Sequence, residues 1–123
     1  MTFEVKYLFR KPKFPVICDV HGELVAAKTH SQFSKLIGKL KLPQGEQLPL
    51  LDARAENWVF VVDHLTISPL AVKKKWTKKE VIALFNNSKT AKENELEYSM
   101  NLLSAKRYEK ILYDIVNMIL KVK

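Results

Sequence analysis

The chain has 123 residues, 47% hydrophobic and 28% charged, and 21 Lys and Arg against 13 Asp and Glu leave a net charge of +8. A chain of this length buries roughly two thirds of its unfolded surface, enough for one core without disulfides or metal; its single Cys18 excludes an internal disulfide, and three Gly and five Pro argue against disorder. No apolar run reaches the roughly 18 residues of a membrane-spanning helix, and Met1 to Arg10 carries Glu4 and Lys6 in its apolar stretch, unlike a signal peptide, so a single cytoplasmic domain over residues 1–123 is expected.

Phe3, Val5, Tyr7 and Phe9 alternate with Glu4, Lys6 and Leu8, which predicts a strand with its aromatics on one face, ended by Pro12 and Pro15. Val16 to Val20 are β-formers, and His21-Gly22 offers a turn into Leu24-Val25-Ala26, so a hairpin is expected. Ser31 reads as an N-cap for a helix in which Phe33, Leu36, Ile37 and Leu40 make an apolar stripe. Leu42 to Gln47, with Pro43 and Gly45, reads as a loop.

Leu48 to Ala53 and Trp58 to Leu65 follow as strands, and Trp58-Val59-Phe60-Val61-Val62, apolar on both faces, reads as the central, doubly covered one. Thr77-Lys78-Lys79-Glu80 is a capping box before the apolar Val81, Ile82, Leu84 and Phe85, with Asn86-Asn87-Ser88 as its stop. Residues 89–103 are ambiguous: Thr90 to Glu93 offers a second capping box, while Leu96, Tyr98, Met100 and Leu102 alternate like a strand, and the extended reading is preferred. From a Ser104 cap, Tyr108, Ile111, Leu112, Ile115, Ile119 and Val122 form the stripe of a long C-terminal helix. The order predicts an α+β fold: a mostly antiparallel sheet with two short helices and a long C-terminal helix packed on it.

Chemistry-bearing patterns are few. Ile17-Cys18-Asp19-Val20-His21-Gly22 places Asp-x-His-Gly after a strand, which resembles the first motif of the calcineurin-like metallophosphoesterases. That resemblance implies Asp19 and His21 as metal ligands on one strand face of a metal-dependent hydrolase. The later Gly-Asp-x-x-Asp and Gly-Asn-His loops of a two-metal site do not occur, and the preferred reading is a polar hairpin turn. A looser metal set of His21, His30, His64, Asp19 and Asp63 lacks helical i, i+4 spacing. Cys18, between apolar neighbours in a strand, reads as an inert core thiol. Neither a Walker loop nor a Gly-x-Ser-x-Gly elbow fits three scattered glycines. No catalytic centre and no cofactor are therefore expected.

Charge is what rises above background. Lys73, Lys74, Lys75, Lys78 and Lys79 surround Trp76 and Thr77, a stretch of +5 before Glu80, and Lys28, Lys35, Lys39 and Lys41 add +4 around the first helix. Together they predict a binding face for an acidic protein partner, with Lys35, Lys39 and Lys41 as an extension of the Trp76 patch if the two regions meet. Nucleic acid is the alternative, with Trp76 stacking a base, although base-recognition motifs are missing. Trp76 has a plainer role too, as the hydrophobic staple packing near Val81. Lysines in a helix's first turn oppose its dipole, a local conflict of the kind found at functional sites. Val116, Met118, Leu120 and Val122 widen the last helix's stripe and offer a face for a partner or a second copy of the chain, or else bury both helix edges on the sheet.

Overall fold

The computed structural model describes residues 4–70, 74–102 and 105–122. The elements are β1 (Lys6–Tyr7), β2 (Val16–Val20), β3 (Glu23–Ala27), α1 (His30–Ile37), β4 (Gln47–Leu51), β5 (Asn57–Val61), β6 (Thr66–Pro69), α2 (Lys78–Asn86), α3 (Lys89–Glu93) and α4 (Tyr108–Lys121). One sheet runs in the order β1-β6-β5-β4-β2-β3, antiparallel except where β1 lies parallel to β6. This is the expected α+β class. Among the described residues no helix is long and apolar enough to cross a membrane.

The period-2 alternation of β2 sorts two cores. Val16, Cys18 and Val20 face Phe33 and Ile37 of α1 together with Trp58, Phe60 and Ile67, whereas Ile17, with Leu24 and Ala26 of β3, faces Val81, Ile82 and Phe85 of α2 and Ile111, Ile115 and Ile119 of α4. Helices therefore cover both faces of β2 and β3, which corrects the expectation for Trp58 to Val62. β5 lies third in the six-stranded order, but only Trp58 and Phe60 are buried, and Val59 and Val61 on its other face are half-buried. Phe33 meets Phe60 edge to face at 5.8 Å, and truncating side chains buried this completely costs about 3–5 kcal/mol each.

Several boundaries move from their sequence expectation, each for a local reason. Phe3 lies outside the described residues; Val5 and Tyr7 do turn inward, but β1 ends at Tyr7 because Arg10 N–H donates to the Leu8 carbonyl at 2.8 Å around Phe9, whose φ is 68°. Thr29, not Ser31, caps α1, accepting from Gln32 N–H at 3.1 Å. The Trp58 to Leu65 run splits: Val62–His64 form a 3-10 turn, and Leu65, at φ 47°, redirects the chain into β6. The expected capping box at Thr77 and Glu80 is present.

Residues 89–93 are helical rather than extended. Ser88 caps α3 by accepting from Ala91 N–H at 3.1 Å, while the Thr90 hydroxyl accepts from Leu24 N–H at 2.8 Å and ties the helix to β3. In α4 the five residues Ile111, Leu112, Ile115, Val116 and Ile119 are all inaccessible, so Val116 belongs to the core and not to an outer face. Met118 and Leu120 pack half-buried against the same core, and Val122 is 38% exposed. The expected Ser104 cap lies outside the described residues; the cap position is Arg107, which makes no side-chain cap bond.

Candidate binding cleft

At the end of β4 the chain leaves the sheet through Asp52, a polar side chain that is fully buried. Its carboxylate is occupied by backbone: Oδ2 accepts from Lys13 N–H at 3.0 Å, and Oδ1 accepts from Arg54 and Glu56 N–H at 3.0 Å each. An aspartate suits this position because its short carboxylate reaches the amide two residues on, closing an Asx turn. The Asp52 carbonyl accepts from Ala55 N–H at 3.1 Å and from the Tyr108 hydroxyl at 3.2 Å, which joins the loop to the start of α4. Burial and the Asp52 charge push the Tyr108 phenol up, so this hydroxyl stays protonated as a donor.

The basic segment is fastened onto the same loop. Trp76 N–H donates to the Ala55 carbonyl at 2.8 Å, and the Asn57 side-chain amide donates to the Lys74 carbonyl. Arg10 arrives from the other side, forking onto Glu56 at 3.1 and 3.0 Å with its guanidinium 4.6 Å above the Trp58 ring. These bonds from Arg10 hold the Glu56 carboxyl below its ordinary range. Between these walls lies an open cleft of about 630 Å³, lined among others by Arg10, Arg54, Lys75, Lys78, Trp76 and Tyr108, with Glu56 and Glu109 as its carboxylates. Arg10 answers Glu56, and Lys13 reaches Glu109 at 3.4 Å, while Arg54 and Lys75 stand exposed at the rim.

Of the basic residues singled out in the sequence, Lys75 and Lys78 line this cleft with Trp76, Lys74 is exposed beside it and anchored through its carbonyl, and Lys79 is exposed on the first turn of α2. Lys73 lies outside the described residues. Lys35, Lys39 and Lys41 are exposed elsewhere: α1 packs on the Trp58 and Phe60 face of the sheet and α2 on the opposite one, so the two lysine groups do not form one surface. Lys39 instead borders a small pocket of about 170 Å³ beside β3 with Leu36 and Leu40. Trp76 is half-buried against the core that contains Val81, the staple geometry, and its buried indole Nε1 has no hydrogen-bond partner.

The other candidate chemistry is absorbed by local structure. His21 (φ 53°) and Gly22 (φ 92°) form the two-residue hairpin loop, and the Asp19 carboxylate accepts from Gly22 N–H at 2.8 Å. His21 Nε2 lies 3.0 Å from Glu46, Asp63 accepts from Gly45 N–H at 2.8 Å, and His30 Nδ1 meets the Tyr7 hydroxyl at 2.5 Å. Among the described residues no three His, Cys, Asp or Glu side chains gather to hold a metal. Cys18 is inaccessible, and burial together with the Asp19 charge pushes its thiol up, away from the nucleophilic thiolate.

The lysines alone do not lead to Asp52, Arg10, Arg54 or Tyr108. The available signal was a carboxylate ending the apolar run from Leu48, where an Asx turn is the commonest use for it. Comparison with protein-family models, with curated proteins and with solved structures finds no match, and what the cleft recognises has to be argued from its own residues.

Proposed function

We propose that the protein is a non-catalytic binding module whose basic cleft engages an acidic protein partner or complex. The observation that carries this reading is the convergence of Arg10, Arg54, Lys75 and Lys78 on one cleft whose walls are fixed by the buried Asp52. Backbone that is already ordered loses little entropy on association, which favours specific contact over loose counterion attraction. Arginine forks match carboxylates in two parallel bonds, and Glu56 already occupies one such fork inside the cleft. Trp76 packs inward rather than standing free as a stacking platform, which favours protein carboxylates over nucleobases as the ligand. The engagement of Asp19 and His21 in a turn, and of Cys18 in the core, supports binding rather than catalysis.

The test is fluorescence anisotropy with labelled polyglutamate and with labelled single- and double-stranded oligonucleotides over a salt series, for the wild type and the Arg54→Glu, Lys75→Glu double variant. Polyglutamate binding that weakens with salt and falls about tenfold or more in the variant is expected. Unchanged affinity in a folded variant overturns the reading. Oligonucleotide affinity that drops roughly a hundredfold between about 50 and 200 mM salt, with polyglutamate inert, would assign the cleft to nucleic acid instead.

A further inference from the structure

The most exposed large apolar side chain described is Phe9, 87% accessible, and it is held out by the backbone itself. With φ 68° and Arg10 N–H bonded to the Leu8 carbonyl two residues back, Phe9 sits at the centre of a γ-turn, a rare and strained conformation that no core contact of its ring compensates. Leu8, 46% exposed, is bonded through its N–H to the Ile67 carbonyl, and Leu70, 44% exposed, follows β6 at the same end of the sheet. The result is a protruding apolar tip. Exposed Lys6 and Lys11 flank it in the chain, Lys11 standing 5.8 Å from the Tyr7 ring and both lining a pocket with Glu4, and exposed Lys74 is tied to the same end through Asn57, which bonds the Lys74 carbonyl and the Leu70 N–H; Glu56 is taken up by Arg10.

We propose that this tip docks the protein onto an anionic lipid surface, Phe9 and Leu8 entering the headgroup boundary while the lysines meet lipid phosphates and carboxylates. The proposal goes beyond the cleft and does not depend on it. Two observations favour lipid over a protein partner. The charges nearest the tip in the chain are mainly lysine, whose compact charge suits the diffuse negative surface of a bilayer. The apolar part is a small projection rather than a flat patch or groove, which enters a fluid interface without needing a shaped pocket.

Flotation of the full chain with phosphatidylcholine vesicles containing roughly a third phosphatidylserine, against pure phosphatidylcholine, tests it. Binding to the anionic vesicles is expected, with about a tenfold or larger loss in Phe9→Ala and about a fivefold loss in each of Lys6→Glu and Lys11→Glu. Phe9→Gly, which relieves the left-handed backbone, should fold at least as well as the wild type yet bind vesicles as weakly as Phe9→Ala. Because Cys18 is inaccessible, Phe9→Cys carries the one thiol open to an environment-sensitive dye, and its emission should shift to the blue on anionic vesicles. Absence of vesicle binding overturns the proposal. So does binding that Phe9→Ala leaves unchanged, since a net charge of +8 alone would then explain it. If Phe9→Ala weakens polyglutamate binding instead, the tip belongs to a protein interface and the lipid assignment fails. Vesicle insertion in a protein that ignores polyglutamate would refute the cleft reading and leave this one standing.

Discussion

Removing the Asp52 carboxylate should be among the most damaging single changes outside the apolar cores. The side chain is fully buried and accepts three backbone N–H bonds at 3.0 Å, from Lys13, Arg54 and Glu56. Hydrogen bonds to a charged acceptor contribute about 1.5–3 kcal/mol each; three lost together, with partial relaxation of the loop and entry of water, set the cost of Asp52→Ala at about 3–5 kcal/mol. For a chain of this size total stability is about 6–18 kcal/mol, so a large part of it would go. The melting temperature would fall by about 10–20 °C. Asp52→Asn is more discriminating. An amide oxygen in place of Oδ1 keeps the bonds to Arg54 and Glu56, but the NH₂ then faces the Lys13 N–H, donor against donor, for a loss of about 2–3 kcal/mol. Urea denaturation followed by tryptophan fluorescence, with the slope checked for constancy, measures both. A loss below about 1 kcal/mol in Asp52→Ala would refute the claim that this carboxylate holds the cleft together.

Other expectations are simpler. Thr77→Ala removes the side-chain half of the capping box on α2, the 3.2 Å bond from Glu80 N–H to the hydroxyl, while the 3.0 Å bond from the residue-77 N–H to Glu80 keeps its donor, and should cost about 1 kcal/mol by denaturation, with Thr77→Ser close to wild type. Partial burial alone would raise the Asp114 carboxyl, but bonds from Lys106 at 2.7 Å, Tyr98 at 2.8 Å and Lys110 at 3.0 Å outweigh it and bring the group from 3.8 down to about 2. A folded value below the unfolded one means stability that is present above about pH 4 and is lost as the pH falls towards 2. Asp114→Asn should therefore be less stable at neutral pH and show a shallower decline of the urea midpoint across that acid window. An unchanged acid slope would show that Asp114 is not the group responsible.

Where side-chain periodicity met a single competing choice, the fold was legible. The β2–β3 hairpin and the capped start of α2 follow from Val16 to Ala26 and from Thr77 to Glu80, because turn and cap chemistry is local. Residues 89–93 misled because the strand-like alternation from Leu96 onward extends back over them, and because the cap is Ser88 while the Thr90 hydroxyl is taken by the Leu24 amide 66 residues away. The run from Trp58 concealed β6 because the left-handed Leu65 turns the chain without a glycine or proline to mark it. Lysine clustering identified one wall of the cleft but could not tell that α1 and α2 lie on opposite sides of the sheet, since that depends on which residues of β2 face each helix. Asp52 and Arg10 act on partners 39 and 46 residues away, and no local pattern reports such pairs.

The parallel attachment of β1 ties one wall of the cleft to a strand held from far along the chain. Two residue pairs join β1 to β6, helped by the bonds from Lys6 N–H to Leu65 and Leu8 N–H to Ile67 and by the Val5 amide on the Ser34 hydroxyl. All of them span much of the sequence, whereas β2–β3 and β4–β5–β6 close through short connections. Residues 4–10 are therefore held to the sheet by contacts distant in sequence, and Arg10 stands at their end. Without that attachment Glu56 would lose its guanidinium and Trp58 its cover. The Phe9 turn and the Arg10 wall of the cleft thus rest on one short strand.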